Sequence, residues 1–530
     1  MKIYLRFVAV ASVLLWTACR SDEQTSWDID VITPLAEARI GLDDILADSN
    51  IISAPGDPLV VRFESNLSLL PTDSIFSIPD TTIGDSFALP INFNLPSGFQ
   101  LLNLNDLVRF NYGNLNITDV ILSSGTLVST ITSRLDDRVL YSFSIPKASF
   151  SAVPFQLLDQ SLEPASTNNP VTRQTNTDLS GYVFDLKGPS SNESNQLQLT
   201  LSARLDPNGN GSPVSANVSA FGYSNQFLNF KPYFAKGFFG SQKYTTENQR
   251  VSIAFLRRIT GNLDLEDATM DLFLENSVGA DFGFLIRKFK AMKTSSGLAL
   301  DLAHPLIGQQ QLLARSTNFS IYPASFSTTT KSFQLNSSNS NLKQVLELLP
   351  DEFEYSIDAE LNPLGNVSSG NDFIFNTSNA KASFALTMPF KFAANALYFS
   401  DTIKTTGFEE SEQSPVTKAS LFLDVENGFP FDLKCTFELL DENRIKIDTL
   451  LPGDIALAGL VDETLRVRQS TKTIMETNVT PQRLENLNRT RYIVVKARLN
   501  TVPEQTRLPM YIDYFLRVQL RGKGLVRIKL

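Results

Sequence analysis

The chain has 530 residues, 42% of them hydrophobic, and a formal charge of −10 at pH 7. That length suits about two to four domains with ordinary apolar cores, and an acidic body does not suit nucleic acid or an anionic lipid surface as partner. One histidine and two cysteines exclude histidine-rich zinc sites, Ser-His-Asp relays with a second histidine, and a disulfide framework.

In chain order, Lys2 and Arg6 precede an apolar run over 7–15 that is too short to span a bilayer. Trp16-Thr17-Ala18-Cys19 follows, and then Arg20-Ser21-Asp22-Glu23. This pattern resembles a bacterial lipoprotein signal, with Trp16 at the position where that family usually carries Leu. The resemblance implies a signal peptide over 1–18, a lipid on Cys19, and a tether over 19–30 that joins the membrane to a folded body. Ser21, Asp22 and Glu23 resemble the export tag of surface-exposed lipoproteins of the Bacteroidota, which implies an outer-membrane, surface-facing location. With a lipidated Cys19, Cys435 has no disulfide partner. It lies between Leu433 and Phe437 in an alternating run and reads as a small buried hydrophobe.

Beyond the tether the texture is that of strands and turns. Residues 59–63 form an apolar strand, and 74–104 are short apolar runs broken by Pro79, Gly84, Pro90, Pro96 and Gly98. Residues 125–143 can be laid over 268–286 and over 419–437. In the second copy Met270, Leu272 and Leu274 alternate, followed by Phe282, Phe284 and Ile286; in the third, Leu421, Leu423 and Val425 precede Leu433, Cys435 and Phe437. Asn276 and Asn427 end the first run of these two copies, and Ser133 stands in that place in the first copy. Alternation, an Asn/Gly turn and renewed alternation predict an antiparallel hairpin with one apolar face. Residues 341–349 predict a helix, with Leu342, Val345, Leu346 and Leu349 on one face, a Ser/Asn cap before them and Pro350 as the stop. The expected fold is mainly β: elongated, antiparallel, sandwich-like blocks over 31–250, 251–410 and 411–530, with one or two short helices.

Candidate chemistry is sparse. Asp206-Pro207-Asn208-Gly209-Asn210-Gly211 resembles half of an EF-hand loop, but position twelve is Asn217, not Glu; it reads as a β-turn, and no metal site or cofactor is expected. Residues 221–239 hold eight aromatics, read as core, with an exposed stacking surface for sugars or acyl chains as the alternative. Ser74, Thr402 and Thr449 follow aspartates in triplets that resemble the O-glycosylation site of secreted Bacteroidota proteins. His304 precedes Pro305 and reads as structural. From 489 to 530 there are ten Lys or Arg against Glu504 and Asp513, so Arg517 and Arg521 are candidate docking cations for an acidic protein partner. No P-loop, dinucleotide fingerprint or nucleophile elbow is present. The expected function is a non-catalytic binding or accessory subunit, lipid-anchored at the outer membrane and docked there on a protein partner such as an integral barrel. The alternatives are a carrier of lipid or glycan in an apolar groove and an enzyme acting on surface polysaccharide.

Overall fold

A computed structural model describes residues 26–45, 51–405, 416–501 and 506–529. The expected mainly β, sandwich-like architecture is what it shows. Twenty-four strands build three sandwiches of eight, and every pairing among them is antiparallel.

The strands of the innermost sandwich are β3 (Thr81–Ala88), β4 (Gln100–Arg109), β5 (Asn116–Ser133), β6 (Val139–Phe150), β7 (Val153–Leu162), β8 (Val171–Asp178), β9 (Gln196–Leu205) and β10 (Ser219–Phe238). Its sheets run β3-β10-β5-β8 and β4-β9-β6-β7, joined along one side by the short strand Val183–Asp185. The middle sandwich uses β2 (Val60–Pro71), β11 (Gln242–Ser252), β12 (Thr269–Asn276), β13 (Phe282–Lys293), β14 (Leu298–Asp301), β15 (Thr329–Leu335), β16 (Glu352–Leu361) and β17 (Asn379–Pro389). Its sheets are β2-β17-β12-β15 and β11-β16-β13-β14. The outer sandwich uses β1 (Ser26–Gly41), β18 (Lys391–Lys404), β19 (Val416–Asn427), β20 (Leu433–Leu440), β21 (Lys446–Ala456), β22 (Thr471–Asn478), β23 (Tyr492–Leu499) and β24 (Phe515–Lys529). Its sheets are β1-β24-β19-β22 and β18-β23-β20-β21, with Ile259–Leu265 added beside β18.

Counted within each sandwich, the sheet orders are first-eighth-third-sixth and second-seventh-fourth-fifth all three times. That is the order of a double Greek key, the jelly roll. The three are nested. The whole inner sandwich lies between the first and second strands of the middle one, β2 and β11. The whole middle sandwich lies between β1 and β18 of the outer one. The contiguous blocks expected from sequence therefore need correction. Residues 26–30 of the expected tether belong to β1, which pairs with the C-terminal strand from Ser26↔Lys529 to Gly41↔Phe515. β2 and β11 belong to the middle sandwich, not to an N-terminal block, and β18 belongs to the outer one.

The sandwiches follow one another end to end. At the outer–middle junction, Leu42 N donates to Tyr514 O (3.1 Å), Leu59 N to Met510 O (2.7 Å) and Phe390 N to Leu59 O (2.8 Å). At the middle–inner junction, Asp372–Phe375 pairs with β10. One cluster of buried side chains runs from Ile40 to Leu520 through all three bodies.

The internal repeat is present, but as an arch, not a hairpin. β12 and β13 pair with different partners in opposite sheets, as do β19 and β20. Their apolar faces meet across the core instead of lying side by side. The turn residues explain how the chain changes sheet. Asn276 is fully buried, and its Nδ2 donates to Ala280 O (2.8 Å) and Ala314 O (3.0 Å) while Oδ1 accepts from Val278 N (2.9 Å). Asn427, also fully buried, donates to Phe431 O and Leu457 O and accepts from Phe429 N, each at 2.9 Å. Ser133 makes the shorter version, accepting from Leu135 N (3.2 Å). Gly279 is required in the second arch, because a Cβ there would strike the Phe373 ring.

The expected helix is α1 (Leu342–Glu347), with Leu342, Val345 and Leu346 buried. It ends before Leu349, and Asn341 stands at its N-cap without a side-chain capping hydrogen bond. The Asn341 side chain instead accepts from Ala303 N (2.7 Å) and donates to Asp301 O (2.9 Å), which pins the end of β14. A second helix, α2 (Pro481–Arg489), occupies the same sixth-to-seventh-strand connection in the outer sandwich. Thr480 Oγ1 accepts from Arg483 N (3.3 Å) and Pro481 takes the first helical position, a signal that was legible in the sequence.

Candidate ligand-binding concavity

Three strands of one middle-sandwich sheet, β2, β17 and β12, lie side by side. Their inward side chains, among them Val61, Met270, Leu272, Leu274, Phe384 and Leu386, are buried, so the period-two rule sends their neighbours outward. In register, Glu64 and Asp271 flank Ala385, Asn66 and Phe273 flank Ser383, and Glu275 faces Lys381. At Ser383 and Ala385 the central strand thus carries small residues between larger ones on the outer two. The result is a trough of about 360 Å³ lined by Glu64, Ser65, Asn66, Phe273, Glu275, Lys381, Ser383 and Ala385. A bulge between Asn66 and Ser68 breaks the β2 ladder at its edge. Lys381 Nζ lies 3.0 Å from Glu275 Oε2, and Arg62 Nε 2.6 Å from Glu64 Oε1. The trough is therefore polar, each of its lining charges is engaged in an ion pair, and Phe273 forms an aromatic wall. Sequence reading did not find it, since β2 stands some two hundred residues before β12 and no local pattern marks their adjacency.

Two small gaps lie in the described interiors. A void of about 10 Å³ lies among Leu423, Phe437, Leu450, Val495 and Val518 in the outer sandwich, and one of the same size lies beside Phe110 and Phe230 in the inner one. Each is about one water across and apolar. In the aromatic run 221–239, Phe221, Tyr223, Phe227, Phe230, Phe234 and Phe239 are all buried, as the core reading expects.

The other sequence candidates do not converge. Cys19, Ser21, Asp22 and Glu23 lie outside the described residues. Ser74 falls in the helical turn Thr72–Ile75. Thr402 is exposed on β18 and Thr449 half-buried on β21, and each donates its backbone N–H to the aspartate before it (2.8 and 2.7 Å). Asp206 is taken up by Asn208 N (2.9 Å) and by an ion pair with Arg138, and Asp137 accepts from Gly211 N (2.6 Å); this is a closed turn. His304 Nδ1 accepts from Leu306 N (3.1 Å), and burial lowers its pKa from the ordinary 6.5. Cys435 is fully buried, and burial pushes its thiol up to about 12, which leaves no thiolate for nucleophilic work. Among the described residues no group of His, Cys, Asp and Glu is arranged to hold a metal ion, and no helix is long and apolar enough to cross a membrane.

Arg517 and Arg521 do share one face of β24, but their charge is matched inside the sheet. Arg517 lies 3.8 Å from Glu37 and 3.7 Å from Glu426, and Arg521 Nη2 donates to Asp424 (2.7 Å) while the guanidinium sits over Phe422. Arg521→Glu would place a carboxylate against Asp424 and lose that contact. It is expected to lower the melting temperature measurably, and an unchanged melting curve would show that the pairing contributes nothing.

No family model and no curated protein matches the chain. Among solved structures, a protein described as secreted from Parabacteroides distasonis is 14% identical, with 55% of this chain and 89% of that one covered at a TM-score of 0.26. An archaeal virus protein described by its triple jelly roll fold and turret assembly is 10% identical, covering 84% and 99% at a TM-score of 0.12. A structure of infectious bursal disease virus is 8% identical, covering 91% and 86% at 0.12. The jelly-roll assignment rests on the strand order alone.

Proposed function

We propose that this chain is a non-catalytic binding or accessory subunit of the cell envelope, held at the surface of an outer membrane by a lipid on Cys19 and docked there on a protein partner. The observation that supports the reading is the position of β1, the first described strand after Cys19. β1 begins at Ser26, close behind Cys19 in sequence, and ends at Gly41, where Leu42 N bonds to Tyr514 O and Leu59, just before β2, bonds to Met510 O. The anchored end is thus the far end of the outer sandwich, and the middle and inner sandwiches stand progressively further from the membrane. β1 is also zipped to β24 along its whole length, so a load applied through the lipid is spread over a long antiparallel ladder.

Cys19→Ala is expected to move the mature protein from the membrane pellet to the soluble fraction. The acyl chains contribute about 0.8 kcal/mol per buried methylene, and no helix among the described residues can replace them. Undiminished membrane retention of the variant would defeat the anchoring reading.

A further inference from the structure

We infer that the trough on the middle sandwich is a binding site for a neutral oligosaccharide. The inference rests on the binding-protein reading and names the class of ligand. Its size falls in the range of small-molecule sites, about 300 to 1,000 Å³. Three features select the ligand. First, the charges are already compensated: Lys381 pairs with Glu275 at 3.0 Å and Arg62 with Glu64 at 2.6 Å. An ionic ligand would have to break these pairs, whereas a neutral one leaves them intact. Second, the rim is dense in groups that both give and take hydrogen bonds. Carboxylate oxygens of Glu64 and Glu275 accept, Lys381 donates, and Asn66 and Ser383 do both. A polyol, with an alcohol on nearly every carbon, matches such a rim; an acyl chain would leave it unsatisfied. Third, Phe273 stands outward and partly exposed on β12, opposite the small Ser383. An aromatic wall beside a low floor suits the C–H face of a pyranose ring, which packs on aromatic side chains as other apolar surfaces do. Along β17 the lining runs from Lys381 to Ala385, room for a short stretch of a sugar chain at about 3.3 Å per strand residue.

The test is calorimetric titration of the detergent-solubilised full chain with maltohexaose, cellohexaose, laminarihexaose and mannohexaose, and with oligogalacturonate as the acidic counterpart. At least one neutral probe is expected to bind with Kd of about 1 mM or tighter. That binding should be unchanged between low salt and about 0.5 M salt, because no net charge is engaged. Phe273→Ala should weaken it about tenfold or more, and Ser383→Tyr, which raises the floor without touching the core, should abolish it. Two variants of opposite kind, each checked by its melting curve, keep the result independent of any one folding defect. The inference is overturned if no neutral probe binds, if only oligogalacturonate binds and does so salt-sensitively, or if binding survives both substitutions. Loss of the saccharide result with Cys19-dependent membrane retention intact would defeat this site alone and leave the anchoring reading standing.

Discussion

Arg315→Ala is expected to lower the unfolding free energy by about 3 to 5 kcal/mol, the loss typical when one partner of a buried ion pair is removed. Arg315 is only 17% exposed at its side chain, and its Nη2 lies 2.6 Å from Asp281 Oδ2, with Nε 3.2 Å from Oδ1. Its Nη1 reaches Asp372 Oδ1 at 3.3 Å, and that carboxylate is 1% exposed. Asp372 also accepts from Phe239 N (3.2 Å) at the end of the inner sandwich and from Asn362 Nδ2 (2.8 Å). The guanidinium thus ties the middle arch, the 372–375 strand and the inner sandwich at one point. Without it Asp281 and the buried Asp372 lose their shared cation. Arg315→Lys should recover only part of the loss, since an ammonium cannot make the forked contact to Asp281 and still reach Asp372. The urea midpoint of each variant measures this. A shift worth less than about 1 kcal/mol, the range of a surface pair, would mean that the junction is held by other contacts.

Phe437→Ala is expected to have an effect of the same size, about 3 to 5 kcal/mol, for a different reason. The ring is 3% exposed and borders the existing void of about 10 Å³ between the outer sheets, among Leu423, Leu450, Val495 and Val518. Removing it enlarges a gap that both flanking sheets hold open, because each is fixed by its own ladder and cannot collapse inward. Lys434→Ala, on the opposite face of the same strand, should change stability by less than about 0.5 kcal/mol. Equal losses for the two substitutions would refute the inward placement of Leu433, Cys435 and Phe437.

Several features of the fold were legible before any coordinates. Alternation at Leu421, Leu423 and Val425 and at Leu433, Cys435 and Phe437 told which side chains turn inward, because successive strand residues must point to opposite faces. Cys435 reads as core for the same reason, and the aromatic run 221–239 because Phe is used for packing throughout the chain; Cys435 and six of the eight aromatics are buried. The repeat itself was visible through Asn276 and Asn427. A further mark of it is that the seventh strand of each sandwich closes on Leu205-Asp206, Leu361-Asn362 and Leu499-Asn500. In each case the Asx side chain takes a partner on another segment, Arg138, Gly240 O or Ala396 N.

Sequence by itself therefore determined class and phase: a β protein, which faces of its strands are apolar, and where the paired alternating runs turn. Tertiary structure alone decided partnership. Period-two alternation names a face and is silent about the neighbour, so it could not tell a hairpin from an arch. The choice is made by where Asn276 and Asn427 spend their amide bonds. Nor could it show that β1 pairs with β24, or β2 with β17, across hundreds of residues. That nesting follows from ladder hydrogen bonds, whose donors and acceptors are the same on every residue and leave no local trace. The trough shares this origin. Glu64, Phe273 and Ser383 become neighbours only because three strands distant in sequence are made adjacent by a sheet whose order is written in no single one of them.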